Sequence, residues 1–141
     1  MKKLILLALT LITPMSYAEE LNLICRGIET NNNKNPHQRE IQLTINTSNN
    51  TILHYPSILS QIHELGESRN SYSVNLTVDN FTYKIYENYT IRSTGAQRHA
   101  FFDISRHDGS AKKTSIFIHE NQKLDESSFI GRCEIFQGQL F

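Results

Sequence analysis

The chain has 141 residues, with 14 Lys and Arg balancing 14 Asp and Glu at a formal net charge of zero. Its basic residues are dispersed, so no basic face for phosphate forms, which argues against nucleic acid as a partner. A chain of this length is expected to fold around one hydrophobic core.

Residues 1–18, MKKLILLALTLITPMSYA, carry Lys2 and Lys3, an apolar run from Leu4 to Ile12, and Ser16 and Ala18 at the small-residue positions before a cut. These are the three parts of an export signal removed after Ala18. The apolar run is far shorter than the roughly 20 residues that span a bilayer, so residues 19–141 are expected as a single β-rich domain without a membrane span, periplasmic or secreted. Without Lys2 and Lys3 that domain keeps 12 basic residues against 14 acidic, a formal net charge of about −2.

Period-two alternation dominates the rest of the chain. In LNLICRGI, Leu21, Leu23 and Cys25 share one face of a predicted strand. The stretch TNNNKNPH, Thr30 to His37, has no apolar residue except Pro36 and reads as an exposed loop. REIQLTIN alternates again through Ile41, Leu43 and Ile45, and SNN turns the chain into TILHY. SILSQIHELG breaks the pattern, because Ile58, Leu59, Ile62 and Leu65 fall at helical spacing between Pro56 and Gly66, which predicts one short helix. SYSVNLTV resumes with Tyr72, Val74, Leu76 and Val78 on one face, then Asp79 and Asn80 form a turn into FTYKIY, where Phe81, Tyr83 and Ile85 share a face. Thr90 with Ile91, HAFFDIS, SIFI and the terminal SFIGRCEIF complete about eight strands. Many short antiparallel strands in one small domain define an all-β fold, an up-and-down barrel or a sandwich.

Two cysteines remain after the export signal, and in an exported chain an even count reads as a disulfide, here Cys25 with Cys133. Phe129, Gly131, Cys133 and Ile135 share a strand face, so both sulfurs point to the apolar side. First and last strands are then neighbours tied from within. A barrel fits this best, since closure also removes exposed strand edges.

QRHAFFDISRHDGSAKK places His99, Asp103 and His107 four apart, which on a helix would be one face and a metal motif. Ala100, Phe102 and Ile104 alternate with Phe101, Asp103 and Ser105, however, so the segment reads as a strand with His99 and Asp103 outward. On a strand, residues four apart stand about 13 Å from each other and cannot share one ion. RHDGS, Arg106 to Ser110, is then a hairpin turn shaped by Asp108 and Gly109, with His107 and Asp108 at an exposed tip usable for contact. The pairs His63, Glu64 and His119, Glu120 lack the second His of H-E-x-x-H, and neither a nucleophile elbow nor a Gly-rich phosphate loop occurs. No catalytic residue, metal site or cofactor is expected. In FTYKIYENY a change of phase at Tyr86 places at least one ring off the core face, making Tyr86 and Tyr89 further candidates for a contact surface. Five N-x-S/T triplets, at Asn46, Asn49, Asn75, Asn80 and Asn88, are read as chance products of an Asn-rich, Ser- and Thr-rich chain.

Cys25, Ile104, Arg106, Gly109, Gly131 and Cys133 together resemble a pattern of small exported bacterial β-proteins in which an early Cys and a late G-x-C bracket the domain. That resemblance implies a β domain and no activity. In size, export and strand number the chain is also similar to periplasmic lysozyme inhibitors of the C-type class, a likeness at the level of fold. The function expected is that of a non-catalytic periplasmic or secreted binding protein whose partner is an envelope protein, a glycan or a hydrolase. A small-ligand carrier with an unfilled cavity, and a small hydrolase using His and Asp at loop tips, are the alternatives.

Overall fold

The computed structural model describes residues 20–32, 34–54 and 71–136. They form eight strands of one sheet: β1 (Glu20–Asn31), β2 (Lys34–Asn46), β3 (Thr51–His54), β4 (Ser71–Val78), β5 (Thr82–Ile91), β6 (Ala96–Ser105), β7 (Ser110–His119) and β8 (Gln122–Ile135). Hydrogen-bonded neighbours follow the order β3-β2-β1-β8-β7-β6-β5-β4, every pair is antiparallel, and β3 and β4 come side by side at the ends of the series. The sheet therefore curls into a nearly closed up-and-down barrel. The export signal and the helix expected between Ser57 and Gly66 lie outside the described residues.

Alternation sets which side of each strand turns inward. In β4, Tyr72, Val74, Leu76 and Val78 are at least half-buried, while Ser71, Ser73, Asn75 and Thr77 face water. The same parity places Phe102, Phe129, Leu43, Ile45, Ile104 and Cys25 fully inside. Each such large apolar side chain contributes roughly 1.5–3 kcal/mol by leaving water. Phe102 and Phe129 meet edge to face, 6.1 Å between centroids at 88°, the arrangement that aromatic quadrupoles prefer.

The first and last strands are hydrogen-bonded neighbours within the sheet, whose two edges are β3 and β4. Cys25 and Cys133 are paired in register and bonded, as expected from their shared face parity. Two residues along, Gly27 faces Gly131, and the strands approach so closely that a Cβ on Gly27 would lie 2.2 Å from the Ile130 carbonyl oxygen. Only glycine fits this part of the seam.

Several strand limits differ from the sequence reading. The expected loop from Thr30 to His37 is mostly strand: β1 continues to Asn31, and Glu29 pairs in register with His37. Polar residues serve as strand here because Glu29 accepts a 2.5 Å bond from Arg39 Nη1 and sits 3.4 Å from His37 Nε2, so charge compensates for missing apolar area. Thr90 and Ile91 extend β5 instead of forming a strand of their own. Phe81 does not join Tyr83 and Ile85 in the core. It lies in the β4–β5 turn, 75 % exposed, because Asp79 Oδ1 accepts the Phe81 and Thr82 amides and closes the turn at that point. Ile135 keeps the parity of Cys133 and pairs in register with buried Leu23, yet is 63 % exposed at the end of β8. The β7–β8 hairpin turns on Glu120 and Asn121, at φ 50° and 61°, the twist of a type I′ turn.

The interior changes character along the barrel axis. At the end holding the β6–β7 turn, here called the mouth, it is apolar. Toward the other end one in-register ring reads His37, Glu29, Phe129, Lys113, Phe102, Ile85, and the next Asn31, Ser127, Ser115, Ala100, Glu87, Val74. Charged and hydroxyl side chains thus occupy inward positions of the far half.

Candidate functional site

The mouth is built by the turn that the sequence singled out. Ser105 Oγ accepts the amides of His107 at 3.3 Å and Asp108 at 3.4 Å, while Gly109 N donates to Ser105 O at 3.1 Å. Gly109 stands at φ 71°, and its carbonyl accepts Cys133 N at 2.7 Å, which sutures the turn to β8 beside the disulfide. A side chain there would be strained twice, since a Cβ would also fall 2.3 Å from Cys133 O. Arg106 ties the same turn to its neighbour: its amide donates to Phe81 O at 2.8 Å, Nη1 donates to Asp79 O at 2.6 Å, and the guanidinium lies 5.2 Å from the Tyr83 ring.

Asp108 accepts the Ser110 amide at 3.0 Å and the Ser110 hydroxyl at 2.8 Å. Its carboxyl is held well below the ordinary 3.8, chiefly by the Ser110 amide, then by the hydroxyls of Ser105 and Ser110, with Arg132 adding attraction. A depressed carboxyl contributes stability that is complete above the unfolded value and lost as pH falls through the folded one. Asp108→Ala should therefore lower the thermal midpoint at neutral pH, and the gap from the wild type should close as pH drops below about 4. Midpoints followed from neutral pH to about pH 2 check this; a gap independent of pH would contradict it.

Beneath this turn lies a pocket of 340 Å³ whose walls include Leu21, Leu23, Tyr83, Arg106, His107 and Arg132. Asp108, Glu134 and Ile135 also line it. Phe81, Ile135 at 63 % exposure and Phe136 at 41 % leave apolar surface in water around the same end. A wider depression of 610 Å³ runs over the outer face of β1 and β2, where Arg26 Nε donates to Glu40 at 2.8 Å.

The remaining sequence candidates are dispersed. His99 and Asp103 lie on the outer face of β6, with His107 beyond its end. Among the described residues no three of His, Cys, Asp and Glu converge on a point where a metal ion could sit. Tyr86 faces outward, donates its hydroxyl to His99 Nδ1 at 2.8 Å and packs 5.0 Å from Phe101. His99 Nε2 lies 3.1 Å from Gln97 Oε1, so the network assigns the proton to Nε2. Tyr89 does not share that face. It is 6 % exposed, because β5 runs without a change of phase and residues 83, 85, 87 and 89 all point inward.

Sequence reasoning overlooked the interior charges. Glu87 is buried at 3 %, and its Oε2 lies 3.7 Å from Lys113 Nζ. Burial pushes the Lys113 ammonium below its ordinary 10.5, against the opposing pull of the Glu87 carboxylate. Nearby Arg39 lowers it further, and Glu29 raises it. The signal was present: Glu87 has the same parity as Tyr83, Ile85 and Tyr89.

The architecture defines the class, a small, nearly closed antiparallel barrel whose eight described strands include a disulfide-tied first and last, with an apolar-rimmed mouth. Comparison with known proteins adds no relative: no family model, no curated protein and no solved structure matches the chain.

Proposed function

We propose that this is an exported, non-catalytic binding protein that engages another macromolecule of the cell envelope through the mouth of the barrel. The observation carrying this reading is the pocket under the β6–β7 turn, with Arg106, His107 and Arg132 in its walls and solvent-exposed Phe81, Ile135 and Phe136 at the same end. Apolar side chains left in water beside a pocket and rimmed by polar groups are the usual composition of an interface. The turn itself is held by four elements, β4–β5, β6, β7 and β8, so the surface is organised before any partner arrives, which limits the entropy lost on binding. The disulfide suits an oxidising compartment.

Photo-crosslinking in living cells tests the reading. A photoreactive residue at His107 or Ile135 should trap a discrete macromolecular adduct, whereas one at Ser93, in the β5–β6 turn at the far end, should not. Equal labelling from both ends, or none from the mouth, would remove the support for this surface.

A further inference from the structure

The outer face of β4 to β7 carries a second feature, remote from the mouth. In-register rows read Ser71, Thr90, Gln97, Ile118; then Ser73, Asn88, His99, Ile116; then Asn75, Tyr86, Phe101, Thr114. These three rows hold hydroxyls, carboxamides, three rings and, along β7, Ile116 and Ile118, and none of them carries Lys, Arg, Asp or Glu. The next row toward the mouth is Thr77, Lys84, Asp103, Lys112. A fifth of the chain is charged, so an uncharged panel with so sharp a border is a local property of this face.

Its centre is a strip of three rings. Tyr86 and His99 lie 6.2 Å apart with planes at 12°, and Tyr86 and Phe101 lie 5.0 Å apart at 36°. Phe101 is 48 % exposed, an aromatic side chain kept in water on the outside of a sheet. The rings are held in place by the Tyr86 hydroxyl on His99 Nδ1 and by Gln97 on His99 Nε2.

The geometry points to this panel as a binding platform for a neutral glycan chain. A pyranose ring presents an apolar face of C–H bonds, which stacks on an aromatic ring, and an equatorial girdle of hydroxyls, which meets amides and hydroxyls. The panel supplies both, in the right relation, with rings in the middle and Ser73, Asn75, Asn88, Gln97 and Thr114 around them. An apolar protein surface laid on the same panel would strand those polar groups, and an anionic polymer would find no cation within the three rows. The surface is an open sheet face, not a cleft, so the affinity per site should be weak, with Kd on the order of 0.1–1 mM. Such a contact holds a protein near a polysaccharide while leaving the mouth free.

Titration of the exported-form chain with chitotetraose and with cellotetraose, followed by amide NMR shifts, tests the platform. Saturable shifts at Asn75, Tyr86, Asn88, His99 and Phe101 with either oligosaccharide are expected. Phe101→Ser, at an exposed position, should weaken binding about tenfold with an unchanged thermal midpoint, and Tyr86→Ala provides a second variant should the first be poorly folded. Phe81→Ser at the mouth should bind as the wild type does, which separates this site from the one proposed above. Absence of shifts with both oligosaccharides, shifts elsewhere on the barrel, binding only to the anionic polysaccharide heparin, or wild-type affinity in folded Phe101→Ser and Tyr86→Ala would each overturn it.

Discussion

Replacing Cys25 and Cys133 together by alanine is expected to lower the unfolding free energy by about 4–5 kcal/mol, as read from the shift of the urea midpoint. The bond closes a loop with a sequence separation of 108, so it constrains nearly the whole described chain in its unfolded state. In the chain-entropy account a loop near 100 residues yields about 4.7 kcal/mol, although engineered bonds often deliver less. The folded state loses little in compensation, because β1 and β8 are paired in register from Leu23–Ile135 to Asn31–Ser127 whether or not the sulfurs are bonded. Against a total stability of roughly 5–15 kcal/mol for a domain, this loss is large enough to leave much of the variant unfolded at body temperature. Adding reductant to the wild type should bring its midpoint to that of the double variant. A shift below about 1 kcal/mol would mean that the seam is held by the ladder alone and that the unfolded chain gains little freedom without the bond.

How legible the fold was depended on contrast between the two faces of a strand. Where apolar and polar residues alternate strictly, as in Tyr72 to Val78 or Ile41 to Ile45, parity alone places each side chain correctly, and the disulfide follows from the parity of Cys25 and Cys133. The turn at Arg106 to Ser110 was legible from Asp108 and Gly109, whose local chemistry needs no tertiary context. Contrast fails where both faces are polar. That is why the strands from Thr30 to His37 look like a loop in sequence: the partners that make them a ladder, Arg39 on Glu29 and Asn32 N on Glu126 O, lie far along the chain or across the turn. Tyr89 was misplaced for a related reason. Inward Glu87 between inward Ile85 and Tyr89 suggests a break in phase if only apolar residues are expected inside, whereas the strand is regular and Glu87 is buried with a counter-charge. The pocket at the mouth could not have been foreseen, since its walls come from β1, β5, the β6–β7 turn and β8, and no sequence window contains them.

The interior pair carries the other large effect. Lys113→Met should cost about 3–5 kcal/mol, because it keeps the volume of the side chain while leaving the buried Glu87 carboxylate without its nearest cation. Glu87→Leu in the same chain should restore most of that loss, as replacing both members removes two desolvation costs along with one attraction. The double-mutant cycle therefore distinguishes a pair that stabilises from one that is merely tolerated, a distinction the 3.7 Å separation alone does not make. A pH profile gives an independent check with a definite sign. Burial lowers the Lys113 value in the folded protein, so between that value and the ordinary 10.5 the unfolded chain binds more protons than the folded one. Stability attributable to this group must then rise with pH across that window, the reverse of a lysine whose value is raised by a partner. Other amines and phenols titrate in the same range and are common to both proteins, so the informative quantity is the wild-type profile minus that of Lys113→Met. A difference that grows in favour of the wild type toward pH 10.5 is expected. One that shrinks would mean that the attraction of Glu87 outweighs desolvation, and Lys113 would then be a net stabilising charge inside the barrel.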